Sequence, residues 1–292
     1  MKCIKKIKIY IIMDNMYKSF LNNHRREKKS ALEITNTRIE DKGLNISGGV
    51  FHICDEEYTQ FCKLYCENIF DKGTKEYITE AQRKTEGNGP ILIDLDFRYD
   101  PDITERQHDY NMIIDIILTY LKALTEIIEF TNSTFSVYVF EKPNVNQLND
   151  VTKDGLHIII GIKLPHIYQH LLRSKVIKEL PNDLDDLPLK NTYDTVLDEG
   201  ITKGGTNWQL YGSRKPGNEA YELKYHLQYE YLEETCDFNE GVIIDDLESY
   251  KRMPQFVKLS ARYTGHPEYT IKSEAKTEAE LITKKKTARR KT

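Results

Sequence analysis

No stretch of this chain is long and apolar enough to cross a bilayer. The longest early run, Ile7 to Met13, is interrupted by Lys8 and falls far short of the ~20 residues a membrane helix needs. Its Lys-rich flanks resemble a signal sequence, but no small-residue cleavage site follows, so neither secretion nor a membrane partner is expected. The first dozen residues are expected to be a poorly ordered extension or a mis-set start, with Met1, Met13 and Met16 as alternative initiators. Cysteine is scarce and odd in number (Cys3, Cys54, Cys62, Cys66 and Cys236), which fits reduced thiols in an intracellular compartment and not a disulfide framework. Cys62 and Cys66 lie four apart on a predicted helix, near Cys54 and His52. A zinc site needs four ligands and no second convincing pair is present, so they read as helical core cysteines. Positive charge is not in excess. The net charge of -4 gives no global field to attract nucleic acid, and any such binding must come from local patches. A G-x-x-x-x-G-K-[ST] phosphate loop is missing, which excludes an ATPase motor of the ordinary type. Internal repeats and low-complexity tracts are missing as well.

What is present is an ordinary globular composition, 39% hydrophobic and 30% charged over 292 residues, enough to bury a core without staples. The 19 tyrosines favour sheets with amphipathic surfaces. A helix is predicted from Asp55, with Tyr58, Phe61, Cys62, Tyr65, Ile69 and Phe70 at helical spacing. Ile91 to Asp96 reads as a short apolar strand turning acidic at its end. The strongest helix is predicted over Tyr110 to Phe130, where Ile113, Ile117, Leu121, Leu124 and Ile128 define a broad buried face. Strands follow at Phe135 to Phe140 and Leu156 to Leu164, the second expected at the sheet centre, then a helix over 165–180, an acidic connector over 181–200 and a strand at Trp208 to Ser213. A helical segment around 245–262 and a polar tail complete the reading. The order implies an α+β fold with a mostly antiparallel sheet.

Three segments carry chemistry. Asp94 and Asp96, two apart on a strand, project to one face, where two like charges need a cation between them; hard oxygen ligands suit Mg²⁺ or Mn²⁺. Alone, such a pair also reads as a solvated strand end or a helix cap. Lys153, Gly155 and His157 share one face of the strand entering Ile158 to Ile160, placing a cation and an imidazole where a phosphate would lie, with Gly155 leaving room. A structural, hydrogen-bonded His157 is the alternative. Asp198 precedes a Gly204-Gly205 turn and the run Thr206-Asn207-Trp208-Gln209-Leu210-Tyr211-Gly212-Ser213-Arg214-Lys215, which offers a third carboxylate and phosphate contacts, or else a hairpin with a basic end.

Together these segments resemble the three motifs of the archaeo-eukaryotic primase superfamily: an apolar strand ending Asp-x-Asp/Glu, a small-residue-x-His strand and an apolar-Asp motif. They are most similar to the primase domains of primase-helicases from nucleocytoplasmic large DNA viruses, and more distantly to primase-polymerases. Ile34-Thr35-Asn36-Thr37-Arg38-Ile39 and Gly48-Gly49-Val50-Phe51-His52-Ile53 resemble the lead-in of those proteins. Leu210 to Gly217 resembles their third-motif strand, and Lys258-Leu259-Ser260-Ala261-Arg262 a later segment. The resemblance runs from about residue 30 to 265, flanked by a 1–29 extension and a polar, basic 266–292 tail. Asp194 also lies near the third motif, but register against Tyr211 favours Asp198.

The resemblance implies a primase-like core with an RRM-like palm. It implies a pair of divalent ions, Mg²⁺ or Mn²⁺, on Asp94, Asp96 and Asp198, and an incoming triphosphate on Lys153, His157, Lys215 and Asn207. The implied partners are a single-stranded DNA template, an NTP or dNTP, and a helicase in cis or in trans, at a viral replication site in host cytoplasm or nucleus. Some relatives carry Arg where Thr206 and Gln209 stand here, and Gly155 replaces a frequent serine. The competing readings are an inactive platform that docks single-stranded DNA or a helicase, and a metal-dependent nuclease. The basic run from Lys284 to Lys291 reads as an import signal, a DNA-contacting arm or a solvated end.

Overall fold

Four long strands, each written in alternating or continuously apolar sequence, set the architecture of the computed structural model, which describes residues 16–27, 33–83, 88–131 and 133–289. The larger elements in chain order are α1 (Asp55–Cys66), β1 (Asn88–Tyr99), α2 (Tyr110–Thr125), β2 (Ser133–Glu141), β3 (Thr152–Pro165), α3 (His166–Leu184), β4 (Glu222–Leu232) and α4 (Ser273–Arg289). The long strands pair antiparallel in the order β4-β2-β3-β1, within a sheet extended by short edge strands. The fold class is therefore the expected α+β, an antiparallel sheet flanked by helices.

The β1-α2-β2-β3 unit places β3 between β1 and β2, as in an RRM-like palm. The fourth strand is added beside β2, on the far edge. Beside β1 the chain instead lays residues 196–198, with one antiparallel bridge between Leu95 and Leu197.

Alternation separates two cores. From β1, Ile91, Ile93, Leu95, Phe97 and Tyr99 face α2 and α3, joined by Leu156, Ile158, Ile160 and Ile162 of β3. Leu92, Ile159, Tyr138 and Phe140 face the other way, onto Tyr58, Phe61, Cys62 and Tyr65 of α1. Cys62 and Cys66 are buried free thiols there. Each fully buried aliphatic or aromatic side chain contributes about 1.5–3 kcal/mol, so both faces of this sheet are strongly specified.

Several elements depart from the sequence reading. α2 ends at Thr125, and Ile128–Glu129 instead pair with Thr270–Ile271; β-branched residues in a row accept a strand once a partner is present. α3 runs through Pro181 to Leu184 because Leu180 and Leu184 are fully buried in the helix-side core. The segment around 245–262 forms two short 3₁₀ turns, Glu248–Lys251 and Phe256–Leu259, separated by Pro254, which cannot donate within a helix. The sequence reading assigned no strand to β4, although Leu223, Tyr225, Leu227, Tyr229 and Tyr231 alternate along it.

The ordered body also exceeds the expected 30–265. Residues 16–23 are helical, with Tyr17, Phe20 and Leu21 buried against the α1 core. At the other end α4 buries Ala275 and Ala279, and Lys175 of α3 reaches Glu278 at 3.4 Å. The expected extension over the first dozen residues lies outside the described residues. So does the end of the basic run, of which the helical backbone is described to Arg289.

A second sheet of five short strands lies on the α1 side, ordered 25–26, 49–51, 36–38, 78–80 and 208–209. Its lock is a buried ion pair: Arg38 donates to both oxygens of Glu76 at 2.7 and 2.8 Å, and the Tyr17 hydroxyl donates to Glu76 at 3.0 Å. The main chain of Glu76 then fixes the segment that leads to Lys215, its carbonyl accepting from the Arg214 amide and the Ser213 hydroxyl. Removing one partner of a buried pair strands the other charge. Glu76→Ala should therefore lower unfolding free energy by about 3–5 kcal/mol in urea titration. A loss below about 1 kcal/mol, the range of a surface pair, would remove this pair from its assigned role.

Candidate functional site

The β1–β3 register decides which side chains meet. Asp94 lies opposite His157, Asp96 opposite Gly155, and Arg98 opposite Lys153. Directly opposed residues share a face, so both acids, the imidazole and two cations line one side of the sheet, the side away from α2 and α3. His157 Nε2 is 3.4 Å from Asp94 Oδ1.

The third acid arrives along the β1 edge. The amide of Asp198 donates to the carbonyl of Asp94 at 3.1 Å, one residue from the Leu95–Leu197 bridge. Asp194, the alternative, is 81% exposed and pairs with Arg173. Asp198 Oδ1 accepts from the Gly200 amide at 2.7 Å, and Asp96 Oδ2 accepts from Arg98 at 3.1–3.2 Å. Backbone pairing thus sets Asp94 and Asp198 side by side, while the carboxyl groups of Asp96 and Asp198 are turned to protein donors. Among the described residues, no three His, Cys, Asp or Glu side chains are gathered as a metal ion requires. The donor set is nonetheless all carboxylate oxygen, the type that hard divalent cations select.

Electrostatics single out Asp94. Burial pushes its carboxyl up, but the His157 imidazole and the Lys215 and Lys142 ammonium groups outweigh burial and hold it below the usual carboxylate range. Lys215 therefore acts on the same site as the acids, although it is exposed and sits in a turn. The strand predicted at Trp208 to Ser213 is shorter and does not join the sheet of β3. Trp208–Gln209 is the only strand in that run, and it joins the five-stranded sheet by pairing with Thr79–Glu80.

Other expectations change with that placement. Trp208 is buried, yet its ring lies 4.5 Å from His157 and walls the site. Ser213 and Tyr211 are buried away from the cleft, against Glu76 and the α1 core. The Asn207 amide donates to the hydroxyls of Thr37 and Thr79 at 3.0 and 3.2 Å, which ties it to the five-stranded sheet. Gly155 does not leave room for a phosphate: a Cβ there would meet the Leu95 carbonyl oxygen at 2.3 Å. The space is filled by close approach of β1, and glycine is what permits it.

The family profile described as "C962R protein N-terminal AEP domain", AEP being archaeo-eukaryotic primase, matches residues 40–227. The chain belongs to this family. The AEP domain is also similar to a putative helicase, L207/L206, of Acanthamoeba polyphaga mimivirus, with 30% identity over 239 residues. That match covers 79% of this chain and 23% of the relative, so the chain spans about a quarter of the relative's length. No helix among the described residues is long and apolar enough to cross a membrane.

Two residues of the AEP domain's site escaped the sequence reading. The Tyr221 ring stacks on His157 at 3.7 Å with 18° between planes, and Lys142 Nζ lies 5.0 Å above the same tyrosine. Only the Tyr-rich composition and the end of β2 pointed toward them. A buried network just behind the site was missed as well: Arg106 bridges Glu141 and Asp154, and His108 Nε2 donates to Glu141 at 3.0 Å.

The depressed Asp94 value sets a pH dependence. Its folded value lies below the unfolded one, so the ionised group stabilises the fold above about pH 4, and that contribution is lost as pH falls through the folded value. Carbon-detected NMR titration should place the Asp94 midpoint below about 3.9, rising in His157→Ala. A wild-type midpoint at or above that reference would contradict the charge arrangement described.

Proposed function

We propose that this domain is a template-directed DNA primase or primase-polymerase that joins NTPs or dNTPs along single-stranded DNA at a viral replication site in the host cell. The observation that carries the reading is the β1–β3 register, which sets Asp94 and Asp96 beside His157 and within the field of Lys215. Membership of the AEP family supports it. The helicase name of the mimivirus relative supports a helicase partner, fused or separate.

Asp94, Asp96 and Asp198 would hold the divalent pair, Mg²⁺ or Mn²⁺. When bound, such ions activate an attacking 3′-hydroxyl and stabilise the charge of a leaving pyrophosphate. Gathering the three carboxylates requires Asp96 to leave Arg98 and Asp198 to leave the Gly200 amide. The Asp96–Arg98 pair is about two-fifths exposed on both sides, and such pairs contribute only about 0–1 kcal/mol, so the rearrangement is cheap. Lys153, His157 and Lys215 neutralise phosphate oxygens, and the wall of Trp208 and Tyr221 keeps the imidazole oriented. Asn207, tied to Thr37 and Thr79, holds the third-motif segment in place more directly than it meets a nucleotide.

The test is incubation of the protein with template, NTPs or dNTPs, and Mn²⁺. Products longer than one nucleotide are expected. Degraded template would replace the reading with a nuclease, and the absence of both product and degradation would replace it with an inactive docking platform. Asp96→Ala should abolish product while leaving the melting temperature close to wild type; extension at the wild-type rate would remove Asp96 from the site. Lys215→Ala should weaken nucleotide affinity more than template affinity, and a loss confined to template would move Lys215 to the DNA path.

A further inference from the structure

The charge around the acids is not balanced by the protein itself. His157 is matched by Asp94 and Arg98 by Asp96, whereas Lys142 and Lys215 form no ion pair with any described residue. Lys142 is linked to the acids by contact, through Tyr221 to His157, whose Nε2 lies 3.4 Å from Asp94 Oδ1. Lys142 is half-buried at the end of β2, and its backbone is held there because its carbonyl accepts from Arg106 at 2.7 Å. Its ammonium sits 5.0 Å from the Tyr221 ring, whose plane stacks on His157. Burial and the Lys215 charge press Lys142 below the ordinary lysine range, against the pull of Asp96, Asp154 and Asp94. Two unpaired ammonium groups that repel each other beside a carboxylate pair are stable together when an anion lies between them.

We infer that Lys142 is a further contact for the polyphosphate end of the incoming nucleotide, working with Lys215 and placed by Tyr221. The inference rests on the nucleotidyl-transfer reading for the identity of the ligand, and its geometry rests on the stack of Lys142, Tyr221 and His157. Tyr221 is a positioning residue: its ring carries the imidazole and the ammonium together, and its hydroxyl, which lies over Gly155, is not needed for that. The nucleoside end is not involved, since the cation is a point charge suited to phosphate oxygens.

The experiment is calorimetric titration of the full chain with dATP, with adenosine and with inorganic tripolyphosphate, each with Mn²⁺, alongside single-stranded DNA binding. Lys142→Ala should weaken dATP and tripolyphosphate about tenfold, the scale of one charge-assisted contact, and leave DNA affinity unchanged. Lys142→Arg should restore most of the loss. Tyr221→Leu should reproduce the loss and Tyr221→Phe should not. Wild-type tripolyphosphate affinity in Lys142→Ala, or a loss confined to DNA, overturns the inference even if primers are still made. Conversely, Lys142-dependent tripolyphosphate binding in a protein that makes no primers upholds this contact and sinks the primase reading. Circular dichroism on each variant separates a lost contact from a lost fold.

Discussion

The antiparallel register between β1 and β3 is the constraint on which the rest of the site depends. It sets Asp94 against His157 and Asp96 against Gly155, and it does so only because Gly155 lets the Leu95 carbonyl come within a distance that any Cβ would forbid. A slip of one residue would turn both acids into the core shared with α2 and α3, among fully buried isoleucines, where an ionised carboxylate is prohibitively unfavourable. The apolar alternation that packs the sheet therefore also enforces the polarity of its other face. Stability and site geometry are specified by the same residues.

The second determinant is charge. The Asp94 carboxyl is held below the usual carboxylate range by groups from three places in the chain: the His157 imidazole on β3 and the ammonium groups of Lys215, after the five-stranded sheet, and Lys142, at the end of β2. The two ammonium groups form no ion pair with any described residue. On the proposed reading, these ammonium groups beside the acids would meet the phosphate end of a nucleotide whose metal ions the carboxylates hold. The overall charge of -4 is no obstacle, because the relevant field is local and half-shielded by Trp208 and Tyr221.

The five-stranded sheet explains how the distant third motif reaches the palm. Trp208–Gln209 pairs with residues 79–80, and Glu76, locked to Arg38 and Tyr17, holds the backbone of Ser213 and Arg214. Glu80, buried nearby, binds Ser260 and the Ala261 amide, which draws the late Lys258 to Arg262 segment onto the same module. The lead-in segments that carried the family resemblance are thus framework, and their polar residues are partners in a scaffold that holds the segment leading to Lys215.

The long elements were legible because their periodicity is local information. α1, α2, β1, β2 and β3 are written in spacings that hydrophobic burial requires wherever the chain runs, and the pairs Asp94–Asp96 and Lys153–His157 inherit their shared faces from strand geometry alone. The family was legible for the same reason, since its motifs are short strands with fixed polar positions. What the sequence left undetermined is long-range pairing: that the Trp208 strand leaves the palm for a second sheet, that residues 196–198 occupy the edge beside β1, that Ile128–Glu129 abandon their helix for Thr270–Ile271, and that residues 16–23 and 273–289 belong to the body. Lys142 and Tyr221 sit in no motif, and only folding brings the end of β2 and the start of β4 against His157. Local spacing determines which face a residue takes. Which faces meet depends on strand register and on contacts between segments more than a hundred residues apart, and these the tertiary structure alone decides.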